Sequence, residues 1–175
     1  MGKEAGEVEY ARLDQLPDHP DGGQASAWER LVVDGSVARP LTLSAEDLAK
    51  LGRGEMVEDF NCEEGWVVPG QAWEGVPVGK ILSAAGLLAE ARYVSFSAGR
   101  FTAVVTLERA HDATALLALR LNGEPLTPGH GGPCRLVIAG QDCFDSVKWV
   151  DHIEVTVDQP VETAREISLR RIGKL

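Results

Sequence analysis

The stretch Asp59-Phe60-Asn61-Cys62-Glu63-Glu64-Gly65-Trp66 decides how this chain is interpreted. Residues 56–62 alternate loosely between apolar and polar, which predicts a strand that ends at Cys62. Two acidic residues follow the cysteine, and their charge disfavours a free thiolate. Because a bound metal deprotonates a coordinating thiol outright, these surroundings suit a metal ligand better than a hydrolytic nucleophile. On this segment alone, however, a buried free cysteine beside Phe60 and Trp66 is the favoured interpretation.

A second stretch, His130-Gly131-Gly132-Pro133-Cys134-Arg135, combines bare backbone with cationic side chains. Glycine permits close approach of a ligand, and glycine-rich turns expose N–H groups that bind anions. Arg135 can bind a phosphate through paired hydrogen bonds, and Lys148 in Ser146-Val147-Lys148-Trp149 adds a point charge. We therefore predict an anion site here, with an exposed turn between two strands as the alternative.

The composition limits the function. The chain has 175 residues, enough for one domain with a substantial core. Its net charge of −10 argues against nucleic acid as the main partner, because phosphate backbones bind to a basic face. No apolar run approaches the roughly 18 residues of a membrane span, and residues 1–7 lack the apolar segment of a signal peptide. We expect a cytoplasmic protein without a membrane span, or a periplasmic one if a leader has been removed.

The three cysteines exclude a complete disulfide framework. Cys134 and Cys143 could pair if the chain between them turned back, although a reducing compartment disfavours such a bond. The sequence has no Cys-x-x-Cys, and its histidines show no zinc-ligand spacing with the cysteines. It also lacks the haem motif Cys-x-x-Cys-His, so we expect any electron partner to be a separate molecule.

The chain is predicted to have three parts. Residues 1–25 are polar and interrupted by proline and glycine, which indicates an N-terminal arm. Residues 26–160 hold the regular structure, and residues 161–175, which contain a cluster of basic side chains, are predicted to be a solvated C-terminal tail.

Short strands dominate the central part. A capping box from Ser44 to Asp47 predicts a short helix, residues 78–88 predict another, and Asn122-Gly123 predicts a hairpin turn. Strands are predicted at residues 30–35, 56–62, 93–97, 102–107, 115–121, 135–138 and 153–157. Without a regular βαβ rhythm, this inventory indicates an α+β domain with a mixed β-sheet.

The two stretches together resemble a known family. Residues 60–66, with the following Trp73-Glu74-Gly75-Val76-Pro77, are similar to the molybdenum-ligand segment of the sulfite oxidase superfamily. Residues 121–137 resemble its molybdopterin-binding signature, and Ser146-Val147-Lys148-Trp149-Val150 resembles the end of that signature. The similarity runs over residues 28–157, and the spacing between the segments agrees.

The resemblance implies a mononuclear molybdenum enzyme with the mixed, barrel-like sulfite oxidase molybdopterin-binding fold and a few short helices. It implies that Cys62 is the catalytic residue that binds the metal, beside the dithiolene of molybdopterin. The residues implied to bind the pterin and its phosphate are His130, Arg135, Ser146, Val147, Lys148 and Ser97.

The chain also departs from true sulfite oxidases. Their Arg-Asn-His motif has no counterpart in Tyr10-Ala11-Arg12-Leu13-Asp14, and no dimerisation domain is expected after residue 157. Because an anionic oxo substrate is stabilised by nearby cations, this argues against sulfite as the substrate. We predict a compact bacterial-type oxidoreductase that performs oxygen-atom transfer, or a two-electron reduction, on a small oxo substrate. A non-catalytic member that acts as a binding module or partner subunit is the alternative.

Overall fold

The computed structural model describes residues 9–20 and 23–175, which form two β-sheets that share a core. The strands are β1 Ala11–Arg12, β2 Leu31–Gly35, β3 Leu41–Leu43, β4 Gly54–Cys62, β5 Trp66–Pro77, β6 Tyr93–Ala98, β7 Phe101–Thr106, β8 Leu116–Leu121, β9 Glu124–Pro125, β10 Arg135–Val137 and β11 His152–Thr156. The α-helices are α1 Gln24–Ala27, α2 Ala45–Lys50, α3 Val78–Ala85, α4 Leu107–Ala110 and α5 Ala164–Arg171. Two 3₁₀ turns lie at Pro128–His130 and Cys143–Asp145.

The first sheet is built around β5, its longest strand. β4 and β8 pair with β5 antiparallel, whereas β1 pairs with it in parallel. β9 and β10 extend the sheet from β8. The β4–β5 hairpin brings Cys62 opposite Trp66, so the cysteine lies at the very end of a paired strand.

The second sheet has the order β3-β2-β11-β6-β7. β11 runs parallel to β2 and antiparallel to β6, which makes this sheet mixed. Gly35, at the end of β2, has a φ of 89°, and a Cβ built on it would lie 2.1 Å from the Val155 carbonyl oxygen. The close approach of β2 and β11 therefore requires glycine at this position.

The main core lies between the two sheets. Leu31 and Ile153 of the second sheet, Val76 of the first and Ile81 of α3 belong to one buried cluster. A smaller cluster around Trp73, which is 1% exposed, covers the other side of the first sheet. Leu31, Ile81 and Ile153 come from segments with the period of their elements, which explains why the pattern predicted β2, α3 and β11.

The α+β architecture with mixed sheets agrees with the sequence prediction. Ser44 caps α2 as predicted: its hydroxyl accepts a hydrogen bond from the Asp47 N–H, and the Asp47 carboxylate accepts from the Ser44 N–H. The hairpin from β8 to β9 turns at Asn122, whose φ is 51°. β5 was not predicted, because Pro69, Gly70 and Gly75 interrupt its alternation.

The predicted solvated tail needs correction, because most of it is an ordered helix. Residues Ala164–Arg171 form α5, which packs against β7 and the second 3₁₀ turn and buries Ala164 and Ser168. The helix carries few apolar residues, so its polar surface concealed the contact from a pattern-based prediction. Part of the predicted N-terminal arm also packs on the domain, since β1 pairs with β5 and Leu16 is buried. Residues 1–8 and 21–22 of that arm lie outside the described residues, and the limits of the three parts stay a prediction.

Within the described residues, no helix has both the length and the apolar character that crossing a membrane would require.

Candidate functional site

Cys62 lies at the end of β4 and is 4% exposed. Its sulfur is bonded to Cys143 in a disulfide, with the two Cα atoms 5.1 Å apart. Cys143 begins the second 3₁₀ turn, where the Asp142 carboxylate accepts a hydrogen bond from the Phe144 N–H and fixes the turn. The sheet and this turn therefore bring the two sulfurs together from positions 81 residues apart.

The possible pairing of Cys134 with Cys143 is wrong. Cys134 is a free, fully buried thiol that donates to the Val150 carbonyl oxygen at 3.1 Å. Burial raises the pKa of this thiol, so it stays protonated. It directly precedes β10 and is held in the core, while Cys143 lies in a turn that faces β4.

Arg135 is a buried cation at the start of β10. Its Nε donates to the Ser146 hydroxyl at 2.8 Å, and one terminal nitrogen donates to the His130 carbonyl oxygen at 3.1 Å. The guanidinium also lies 5.0 Å from the ring centre of Phe60 and 5.4 Å from that of Trp73, within cation–π range. Burial lowers the pKa of Arg135 to about 9, but the group remains charged at neutral pH.

Lys148 lies beside Arg135, because the two residues form a short antiparallel bridge. Its ammonium group is 5.9 Å from the centre of the Trp149 ring. Burial, and then the positive charges of Arg135 and Arg171, lower the pKa of Lys148 to about 7. Neither Lys148 nor Arg135 forms an ion pair with a carboxylate in the part of the chain that is described.

Ser146 connects the segment of residues 146–149 to Arg135 and Leu136. Its hydroxyl donates to the Leu136 carbonyl oxygen at 2.8 Å while it accepts from Arg135. The side chain is buried, so it holds Arg135 in one orientation. This contact is the kind of positioning that a buried charged group requires.

The glycine turn before Arg135 has a structural role that differs from the expected anion contact. The N–H groups of His130, Gly131 and Gly132 donate to the carbonyl oxygens of Thr127 and Pro128, so the turn uses them itself. A Cβ on Gly132 would lie 2.3 Å from the Leu126 carbonyl oxygen, which explains the need for glycine there.

His130 is directed away from Arg135. Its Nε2 donates to the Leu16 carbonyl oxygen at 3.0 Å and lies 3.3 Å from the Asp18 carboxylate. These contacts attach the segment before residue 20 to the turn. The His130 carbonyl oxygen, and not its ring, is what contacts Arg135.

Val147 and Ser97 are the other two residues implied as cofactor contacts. Val147 is fully buried in the main core, and its backbone oxygen accepts from the Leu136 N–H. The Ser97 hydroxyl is hydrogen-bonded to the Thr102 hydroxyl at 2.9 Å, across the β6–β7 pair. In both cases the side chain is engaged within the fold, and for Ser97 it is the next residue, Ala98, that faces the cavity described below.

A cavity of about 350 Å³ opens beside Cys62, and we call it the cationic cavity. Of the residues implied by the resemblance, four line it: Cys62, Arg135, Ser146 and Lys148. Sequence reasoning missed several other members of its wall, which are His19, Phe101, Trp149, Ser168, Arg171 and Ile172. The basic cluster near the C-terminus was the signal for Arg171, but it was assigned to a solvated tail.

A second cavity of about 340 Å³ also borders Cys62, and we call it the acidic cavity. Cys62 and Ser146 border both cavities. The carboxylates that line the acidic cavity are Glu58, Asp59, Glu63 and Asp142. Cys62 thus borders two spaces of opposite charge, and an anion is favoured only in the cationic one.

This combination of mixed sheets, a cysteine at a strand end and buried cations beside it matches a class of redox proteins. The chain belongs to the oxidoreductase molybdopterin binding domain family, which it matches over residues 18–164. The predicted membership of the sulfite oxidase superfamily and the predicted molybdopterin cofactor are thereby confirmed. The protein is a molybdopterin oxidoreductase by family, and the prediction that it is not a true sulfite oxidase is consistent with its relatives.

Two relatives illustrate the range of the family. The chain is 39% identical over 140 residues to the uncharacterized oxidoreductase YuiH of Bacillus subtilis, covering 79% of this chain and 70% of that protein. It is 29% identical over 154 residues to the protein-methionine-sulfoxide reductase catalytic subunit MsrP of Campylobacter jejuni, covering 77% of this chain and 51% of the subunit. The chain thus spans about half the length of that reductase subunit.

A solved structure shows the same fold. The sulfane dehydrogenase SoxCD from Paracoccus pantotrophus superposes with a TM-score of 0.71 at 25% identity, over 77% of this chain and 40% of that one. The predicted fold class is therefore confirmed.

Proposed function

We propose that the chain is a molybdenum oxidoreductase in which Cys62 binds the metal and the cationic cavity binds molybdopterin. The observation that carries the proposal is the position of Cys62 in the wall of a cavity that also holds Arg135 and Lys148. A cysteine sulfur, the buried Arg135 and the half-buried Lys148 meet in one space, which suits a cofactor that bears both a metal and a phosphate.

The charge of the cavity supports a bound anion. A buried cation without a carboxylate partner is costly to a protein, and a phosphate would offset that cost. Lys148, whose pKa burial lowers to about 7, would regain its full charge beside a phosphate. Ser146 and the His130 carbonyl hold the Arg135 guanidinium in place before any ligand arrives.

The metal is proposed to take a single protein ligand. Across residues 9–20 and 23–175, no group of three or more His, Cys, Asp or Glu is arranged to bind a metal ion by itself. This supports a metal whose remaining ligands come from the cofactor. When bound, molybdopterin supplies the two-electron redox chemistry, while the chain binds it, orients it and limits the access of water.

Cys62 is available as a ligand only after its disulfide is opened. A dithiol reductant gives two electrons and two protons to the Cys62–Cys143 bond, which yields two thiols and leaves the reductant as a disulfide. Metal coordination would then remove the proton from the Cys62 thiol. The fit of this residue is therefore conditional on reduction, whereas the cations are in place already.

The proposed substrate is a small oxo compound, and the proposed reaction is oxygen-atom transfer or a two-electron reduction. The name of the methionine-sulfoxide reductase subunit supports a sulfoxide-type substrate. A separate redox partner is proposed to exchange electrons with the chain. A cytoplasmic location stays a prediction, and the disulfide would persist better in an oxidising compartment.

The test is metal and pterin analysis of protein purified from a molybdenum-competent host under reducing conditions. Wild type is expected to contain molybdenum by mass spectrometry and pterin by fluorescence after oxidation. Cys62→Ala should lose molybdenum, whereas the matched control Cys134→Ala, which removes the free buried thiol, should keep it. A Cys62→Ala protein with wild-type molybdenum content and activity would contradict the ligand assignment.

A non-catalytic role, as a binding module or partner subunit, is the second candidate. The observation that favours it is the disulfide itself, because it occupies the thiol that the metal would need. If reduced wild-type protein, made with cofactor synthesis intact, carries neither molybdenum nor pterin, this candidate replaces the first.

A further inference from the structure

Helix α5 forms one wall of the cationic cavity. Ser168, Arg171 and Ile172 line the cavity, although they follow the last strand of the second sheet. Ser168 is buried against the domain, so the helix is packed in place. A segment near the C-terminus therefore contributes to the same space as Cys62 and Lys148.

Arg165, near the start of α5, attaches the helix to both cysteine-bearing segments. Its guanidinium lies 2.9 Å from the Glu63 carboxylate and 3.1 Å from the Asp142 carboxylate. These two residues are the direct neighbours of Cys62 and Cys143. Lys174 adds a hydrogen bond to the Glu63 carbonyl oxygen at 2.9 Å. The position of α5 is thus set by the site itself.

Arg171 differs from the neighbouring arginines of the helix in its partners. Arg165 and Arg170 each pair with carboxylates, the latter with Glu166 at 2.6 Å. Arg171 instead lies 5.9 Å from the Phe101 ring centre and 3.5 Å from the His19 Nε2, and it forms no ion pair with a carboxylate among the described residues. Its charge therefore faces the cavity without local compensation.

Charges of the same sign collect around this point. Arg135, Lys148 and Arg171 all line the cavity, and His19 lies between Arg171 and Trp149. Two carboxylates also line it: Asp18, which is close to His130, and Glu64, which accepts from the Trp66 indole. Arg135 and Arg171 are permanent cations, Lys148 carries part of a positive charge at pH 7, and the two carboxylates are largely committed to other partners. The cavity is therefore positive, in a chain whose net charge is −10.

We propose that Arg171 is an oxyanion-binding residue of the cationic cavity, supplied by α5. This proposal rests on the proposed function for the identity of the ligand. Two ligands have the required chemistry. One is the phosphate of the cofactor, and the other is an anionic oxo substrate that enters beside it. A guanidinium donates parallel hydrogen bonds to either group. A role in binding explains why this side chain lines the cavity, whereas a solvated tail would not.

The first experiment uses the cofactor-free full chain with inorganic pyrophosphate as the probe. Calorimetry should show binding to wild type that is weakened about tenfold in Arg171→Gln, the loss expected for one charged hydrogen-bonding partner. Arg170→Gln is the matched control, because it removes an adjacent arginine that pairs with Glu166 instead of facing the cavity. Absence of pyrophosphate binding to wild type, or equal affinity in the two variants, overturns the proposal.

The second experiment separates the two ligands in protein loaded with cofactor. A several-fold loss of molybdenum and pterin from Arg171→Gln on dialysis, relative to Arg170→Gln, identifies the cofactor phosphate. Unchanged cofactor content with a raised KM for an anionic oxo substrate, and not for a neutral one, identifies the substrate. Loading that fails in every variant, wild type included, contradicts the proposed function, while the pyrophosphate result still decides the role of Arg171.

Discussion

Cys62 and Cys143 are joined by a disulfide in the wall of the cationic cavity, and Cys62 also borders the acidic cavity. One sulfur belongs to the end of β4, and the other to the 3₁₀ turn that leads to Ser146 and Lys148. The same bond thus links the proposed metal ligand to the segment that carries the proposed phosphate contacts. The redox state of this pair should decide whether the site can be loaded.

Removal of Cys143 should make loading independent of redox conditions. Because Cys143→Ser leaves Cys62 without a disulfide partner, its molybdenum content should be equal in protein prepared with and without a dithiol reductant. Wild type should load only after reduction, and Cys134→Ser should behave as wild type. Alkylation followed by mass spectrometry would verify the bonded pair, and equal loading of oxidised and reduced wild type would contradict the prediction.

The disulfide should also contribute to stability. It closes a loop of 81 residues, for which the chain-entropy model gives a stabilisation of about 4 kcal/mol. Urea unfolding of cofactor-free protein should therefore show a lower free energy of unfolding after reduction. Cys143→Ser should show the same loss without a reductant and no further loss with one. A difference below about 1 kcal/mol would mean that the unfolded chain retains structure around this pair.

Much of the site followed from the sequence because its residues lie in local motifs. Cys62 lies at the end of a paired strand, and the short bridge between Arg135 and Lys148 keeps the two cations together. The partner of Cys62 could not be predicted in this way, because it depends on how β4 and a distant turn meet in three dimensions. The resemblance to a metalloenzyme family implied a metal ligand at Cys62 and gave no indication of a disulfide.

The roles of single residues were harder to predict than their presence. His130 stays a predicted cofactor contact, and the structure shows a role that the sequence did not indicate, a hydrogen bond to the Leu16 carbonyl oxygen. The glycines beside it were expected to offer N–H groups, but they serve close packing. Arg171 lies in a helix of low amphipathicity, where apolar spacing does not indicate which side chains face a cavity. Side-chain direction in each case is set by tertiary packing, which a pattern along the chain does not contain.

Asp145 should make the protein less stable as the pH rises. Burial, and then the neighbouring Glu162 carboxylate, raise the pKa of Asp145 from 3.8 to about 7 in the folded state. Between about pH 4 and 7 the folded protein therefore binds more protons than the unfolded chain, so stability falls as the pH increases through this window. At pH 8, Asp145→Asn should be more stable than wild type by about 1 kcal/mol, after allowance for screening by solvent.

The measurement for Asp145 is thermal or urea unfolding at a series of pH values. The gain from Asp145→Asn should disappear at pH 3.5, where the wild-type carboxyl is protonated in both states. Asp158→Asn, at an exposed position, is the matched control and should follow wild type. A gain that is constant from pH 3.5 to 8 would show that the effect comes from packing and not from the charge.

Lys148 should make anion binding depend on pH above neutrality. Its pKa of about 7 in the folded protein, lowered first by burial, means that the ammonium is about half charged at pH 7 and loses its remaining charge as the pH rises to 9. The affinity of the cofactor-free chain for pyrophosphate should fall over that range, and binding near pH 7.5 should take up protons from the buffer. His19, whose pKa is lowered from 6.5 by burial and by Lys148, is neutral throughout this window and does not contribute.

Calorimetry in two buffers of different ionisation enthalpy measures both effects of Lys148, the loss of affinity and the uptake of protons. Lys148→Gln should bind about tenfold more weakly at pH 7 and lose the pH dependence, whereas Lys50→Gln, which changes an exposed lysine paired with Glu46, should retain it. A pH dependence that survives in Lys148→Gln would assign it to another group in the cavity.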